Sequence, residues 1–170
     1  MHAVVVYESM YGNTHAVASA IAEGLRGSCE VDVVAVSQAE PGVLEGADLL
    51  VVGGPTHIHG LSRPTSRKAA QDAGHRTGGP PLDPAAEGPG LREWLDGLEG
   101  EGVACAVFDT RLRGLPAFTG SAGHGIKRRL QRHGYRPVTS AQSFTVDKNN
   151  HLVPGELQRA AQWGRSLGSL

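Results

Sequence analysis

Two periodicities divide the chain. Val4, Val5 and Val6 are contiguous rather than alternating, which predicts a strand covered on both faces. Over residues 15–25, Val17, Ala18, Ile21, Ala22 and Leu25 recur at helical spacing. Gly27 and Ser28 break that pattern, and residues 29–36 predict a second strand, whose alternating Val31 and Val33 suit a place near a sheet edge. A short helix or turn follows over residues 41–46, then a third, central strand over residues 47–52. Residues 53–60 show no period and predict a loop. Ser62 is placed to cap a helix running toward Ala73, with Pro64 in its first turn. Residues 74–90 are rich in Gly and Pro and predict a long mobile loop within one domain, because neither flank is a complete fold.

The second half repeats the alternation. Leu91, Trp94, Leu95 and Leu98 share one face of a helix, with Trp94 directed to the core, and residues 103–110 form a fourth strand. A basic loop follows from Arg111, then a helix capped by Ser121 and stopped by Gly134. Residues 138–146 predict a fifth strand, and Pro154 opens a final helix through Leu157, Ala160, Ala161 and Leu167. Regular βα alternation predicts an α/β domain spanning residues 1–170, a parallel sheet with helices on both faces. Ligands of such sheets sit beyond the carboxyl ends of the strands, here at the loops after strands one, three and four.

Composition narrows the function classes. Sixteen basic residues against seventeen acidic ones leave a formal charge of −1, so no field favours nucleic acid or a membrane surface. No apolar run approaches the roughly 18 residues of a membrane span. With the first strand starting at residue 3, a signal peptide has no room, and a cytoplasmic location is expected. Cys29 and Cys105 fall in strand-like segments and are expected as buried hydrophobes without a disulfide.

Candidate chemistry concentrates in the first loop. Ser9, Met10, Tyr11, Gly12, Asn13 and Thr14 join the opening strand to its helix, and Gly12 permits a sharp turn or a close approach. The following helix aims its unpaired N–H groups at that turn, a suitable place for a phosphate. The loop matches neither G-x-x-x-x-G-K-[ST] nor G-x-G-x-x-G, so hydroxyls and backbone amides would make the grip. No catalytic triad or paired-carboxylate site stands out. His57, His59 and His124 lack the spacing of a metal site, so none is expected.

Ser-Met-Tyr-Gly-Asn-Thr after a first strand resembles the phosphate loop of the flavodoxins. The likeness extends along nearly the whole chain: Gly-Gly-Pro-Thr-His-Ile-His-Gly is similar to the family's second loop, and Asp109-Thr110 to its third. The resemblance implies a five-stranded parallel sheet of order 2-1-3-4-5 and noncovalent FMN. It also implies that Pro55, Thr56, His57, Ile58, His59 and Gly60, with Asp109, Thr110 and Arg111, surround the flavin ring. The implied role is electron transfer or reduction of a small quinone-like substrate, with a redox partner protein in the first case, by a monomer or homodimer. The alternative is a binding or regulatory module that has lost flavin.

Two departures from the family pattern matter. The third loop offers Arg111, Leu112 and Arg113 where an aromatic residue usually stacks on the ring, leaving Tyr11, His57 or His59 as planar neighbours. Acidic residues usually surround the flavin, yet these loops and their helices carry Arg63, Arg67, Lys68, Arg111, Arg113, Lys127, Arg128 and Arg129. Well-placed cations would favour reduced flavin by tens of millivolts each, at roughly 1 kcal/mol per charge. An imidazole titrating near neutrality at His57 or His59 could give a proton to a substrate.

Overall fold

The computed structural model describes all residues except Pro41, Ile58, His59 and 115–118. Strand β1 (His2–Tyr7) is central, paired in parallel with β2 (Glu30–Ala35) on one side and β3 (Leu49–His57) on the other. Strand β3 pairs in parallel with β5 (Ala104–Leu112) and antiparallel with the two-residue β4 (Gly60–Leu61). The outermost position is shared by β6 (Arg136–Pro137) and β7 (Gln142–Val146), both parallel to β5. With the two-residue β4 left out and that split strand counted once, the order is the expected 2-1-3-4-5.

Alternating residues of β1 serve two cores, which explains the run of valines. Ala3, Val5 and Tyr7 face α1 (Asn13–Leu25) and α5 (Glu156–Leu167), joined by Phe108 and Phe144. Val4 and Val6 face the opposite core, with Leu91 and Leu95 of α3 (Leu91–Asp96) and Ile126 and Leu130 of α4 (Ala122–Arg132). Trp94 packs against that second core, as its helical face predicts. The thiols of Cys29 and Cys105 are free. Helices α1 and α5 approach closely because each presents glycine at the crossing. A Cβ on Gly24 would lie 2.1 Å from the Ala161 carbonyl oxygen, and one on Gly164 would lie 2.2 Å from that of Ile21. Among the described residues, no helix is long and apolar enough to cross a membrane.

Several boundaries differ from the sequence reading, each for a tertiary reason. Strand β3 continues through Gly53-Gly54-Pro55 to His57, where a loop is expected from residue 53. The glycines are there for space: a Cβ on Gly53 would strike the Phe108 ring, and one on Gly54 would crowd Leu91. The carbonyl of Gly53 accepts from Glu8 N, across toward β1. Two residues later Pro55 faces the same side, beyond the end of β1, where its missing N–H costs no ladder bond. The fifth strand breaks because its pairing offset slips: Ala104 lies opposite Arg136, but Phe108 lies opposite Gln142, two residues further than that register allows.

Helix α2 (Pro64–Gly74) begins with Pro64 as expected, but Ser62 does not cap it. Ser62 is buried and donates to Glu8 Oε2 at 2.8 Å. Residues 75–90 contain no helix or strand and lean on the first loop. Asp83 N donates to the Met10 carbonyl at 2.7 Å, and the Asp83 carboxylate meets His15 Nδ1 at 3.1 Å.

Candidate functional site

Past Tyr7 the chain turns through the predicted loop into α1. Gly12 has φ +90°, and an added Cβ would meet nothing within 4 Å, so its conformation rather than its space calls for glycine. Gly12 N donates to Ser9 Oγ at 3.1 Å, closing the turn on itself. The first amide of this region to find a main-chain acceptor is Ala16, bonded to the Gly12 carbonyl at 2.9 Å. Among the described residues, the N–H groups of Asn13, Thr14 and His15 have no acceptor. No acidic side chain occupies the first turn of α1. A cluster of free amides at a helix start is a nest for an anion.

The nest opens into a cavity of about 290 Å³ at the carboxyl ends of β1, β3 and β5. Ser9, Met10, Tyr11, Asn13 and Thr14 line it from the first loop. Pro55, Thr56 and His57 come from the end of β3, and Thr110, Arg111 and Leu112 from the end of β5. Several of these side chains are held by neighbours. The hydroxyls of Thr14 and Thr110 are 2.7 Å apart and both residues are buried. Asn13 Nδ2 donates to the carbonyl and to Oδ1 of Asn150, at 2.8 and 3.1 Å, and Tyr11 OH donates to the Ala70 carbonyl at 2.9 Å. Asn150 itself sits in the left-handed region, with φ 63°.

Electrostatics corrects two expectations. Burial, helped by the nearby Arg67 guanidinium, lowers the His57 pKa to about 4, so the imidazole is neutral at pH 7 and is no proton donor there. Its Nε2 is buried without a partner among the described residues. Three of the nearby cations are engaged elsewhere: Arg67 is buried against Glu93 at 3.0 Å, Lys68 meets Asp72 at 3.4 Å, and Lys127 donates to the Thr139 carbonyl at 3.2 Å. Arg111 does line the cavity, with Nη1 donating to Gly114 O and Thr119 Oγ1 at 2.9 and 2.7 Å.

Asp109 is not at the cavity. It is fully buried, and its Oδ2 accepts from Ser121 Oγ at 2.6 Å and Gly123 N at 2.8 Å. Thr56 Oγ1 accepts from Ala122 N at 3.0 Å. The start of α4 is thus capped by Thr56 and Asp109 from two strands, while Ser121, expected as the cap, donates to the carboxylate instead. A negative charge at that end of α4 also complements its dipole.

The structure therefore brings together most of the residues singled out from sequence. Gly12 shapes the turn without lining the cavity, and Gly60 faces a neighbouring hollow with His57. Ile58 and His59 lie outside the described residues. Sequence reasoning missed Val146, Asn150 and Ala70, which line the cavity from β7, the hairpin after it and α2, and it placed Leu112 in the third loop without assigning it to the site. The buried set of Glu8, Ser62 and Arg67 was also missed. Glu8 Oε2 accepts from Ser62 and, at 2.7 Å, from Leu91 N, and burial raises the Glu8 pKa despite those bonds and the nearby Arg67.

Comparison with known proteins gives the same architecture. Among solved structures, a flavodoxin from the domain Archaea aligns with a TM-score of 0.67 at 19% identity, covering 99% of this chain and 97% of that one. Oxidised flavodoxin 1 from Bacillus cereus aligns with a TM-score of 0.66 at 22% identity, covering 96% and 95%. A flavodoxin, WrbA-like protein from Agrobacterium tumefaciens aligns with a TM-score of 0.61 at 22% identity, covering 99% and 95%. No curated protein matches the sequence. The family model described as Flavodoxin matches residues 5–150, most of the length, and the chain belongs to the flavodoxin family.

Proposed function

We propose that the protein binds FMN noncovalently and transfers electrons, either as a carrier between redox proteins or as a reductase of a small quinone-like substrate. The observation that carries this reading is the nest at α1, three free amides with no acidic residue in the helix's own first turn, beside a cavity at the sheet's switch point. The residues present fit the cofactor at its phosphate end. Ser9 and Thr14 supply hydroxyls, and Gly12 leaves open space beside the amides.

The walls suit a flat, partly apolar ring. Pro55, His57 and Leu112 offer planar or apolar surface, and neutral His57 adds no charge to it. Bound FMN supplies the redox chemistry, and the chain supplies orientation and field. Arg111 adds a positive charge at the cavity wall, which favours the reduced, anionic cofactor.

Titration of the purified protein with FMN tests the reading. Saturable quenching of flavin fluorescence at one site per chain is the expected result, with loss of affinity when Ser9 and Thr14 are both replaced by Ala. A protein that neither carries nor takes up FMN would favour the rival reading, a flavodoxin fold kept as a binding or regulatory module.

A further inference from the structure

Beside the cavity lies a second concavity, which among the described residues shares only His57 with the cavity's lining. It consists of two adjoining hollows of about 440 and 320 Å³, which share Gly60, Leu61, Arg63 and Arg92 as lining. Arg128, Arg129 and His124 of α4 complete the far wall. His57 lines both the first hollow and the cavity.

The charges here are poorly compensated. The two nearby acids are committed, Glu93 to Arg67 at 3.0 Å and Asp96 to Arg129 at 3.4 Å. Among the described residues, Arg63, Arg92 and Arg128 have no carboxylate within 4 Å. Arg92 is nevertheless fixed. Its Nε donates to the Ser62 carbonyl at 3.0 Å and its Nη2 to that of Leu61 at 2.9 Å. Partial burial and the neighbouring Arg129 and Arg63 lower the Arg92 pKa against the opposing pull of Glu93 and Asp96, which marks mutual repulsion among guanidinium groups. Guanidinium groups held in a concave site are suited to paired carboxylate or phosphate oxygens.

We propose that the cleft between Arg63, Arg92, Arg128 and Arg129 is a binding site for a small polyanion, a molecule bearing two or more carboxylate or phosphate groups. The charges converge from the residue preceding α2 and from α3 and α4 onto a concave surface, which favours a compact ligand over the flat acidic face of a protein. That such a ligand would lie next to the flavin rests on the FMN reading above; the anion site itself does not.

Calorimetric titration of the FMN-loaded protein with inorganic pyrophosphate, and separately with citrate, at about 0.15 M ionic strength tests this. Saturable binding of at least one probe is expected, and the stronger probe assigns phosphate or carboxylate. Arg92→Gln and Arg63→Gln should each weaken it at least tenfold, while Arg165→Gln on α5 should leave it unchanged. Among the described residues Arg63 makes no ion pair, so its replacement breaks no salt bridge. The proposal is overturned if neither probe saturates at millimolar concentration, if Arg165→Gln weakens binding as much as Arg63→Gln, or if binding only displaces FMN. Should the protein hold no FMN, the same titration without it still decides the site through Arg63→Gln, and only the flavin reading falls.

Discussion

The hydroxyl oxygens of Thr14 and Thr110 lie 2.7 Å apart, joining the start of α1 to the end of β5 beneath the cavity. One hydroxyl donates and the other accepts, so this single bond sets how the floor presents its remaining hydrogen and lone pairs. Thr14→Val keeps the shape and removes the hydroxyl. It should weaken FMN at least tenfold, because a hydrogen bond to a charged group is worth roughly 1.5–3 kcal/mol. Fluorescence titration reads this directly, and an unchanged Kd would reject Thr14 as a phosphate ligand.

Asp109 is expected to act on folding rather than on the ligand. Asp109→Ala leaves Gly123 N and Ser121 Oγ without their acceptor at the start of α4. The loss should be about 1–3 kcal/mol in urea unfolding. FMN affinity of the folded variant should change far less than in Thr14→Val. The opposite pattern, intact stability with lost affinity, would return Asp109 to the cavity.

His57 gives a pH dependence of defined sign. Its pKa falls from 6.5 to about 4 on folding, so between those values the unfolded chain binds the proton and the folded chain does not. The His57 contribution is therefore complete above 6.5 and is lost as pH falls toward 4, by a total on the order of 3 kcal/mol. Glu8, whose carboxyl pKa is raised by burial, acts in the opposite sense and partly masks the slope. Comparing His57→Gln with the parent across pH 4–7 isolates the effect; parallel stability curves would contradict it.

The helix crossing offers a test of packing. Gly164→Ala places a methyl group 2.2 Å from the Ile21 carbonyl oxygen, so α5 must move away from α1. Overpacking of this kind costs about 1–3 kcal/mol and lowers Tm by about 2–4 °C for each kcal/mol in a chain of this size. Gly27→Ala is the control, because its nearest neighbour would be 4.0 Å away. Equal melting temperatures for the two variants would show that the helices can separate at no cost.

Local pattern disclosed the strands, the helices and the first loop, because Val4 to Val6, the Val17 to Leu25 stripe and the Ser9 to Thr14 turn are each contained within a short window. What it could not disclose depends on distant neighbours. Gly53-Gly54-Pro55 has the composition of a turn and becomes strand because Phe108 and Leu91 occupy the space two side chains would need. Asp109 has the position of a ring neighbour in sequence but accepts from the start of α4, and Ser62 has the position of a cap but donates to Glu8. Most of the residues named from the family resemblance line one cavity, but the resemblance does not tell which hydroxyls and carboxylates the protein keeps for its own bonds.

The opening turn of α1, without a carboxylate of its own, has a thermodynamic consequence. A visiting anion that settles over those amides completes a helix the sequence left uncapped, so its arrival and the firmness of that corner draw on the same free energy. Thermal melts should then climb with cofactor concentration, and stripping the cofactor should loosen this end of the sheet first.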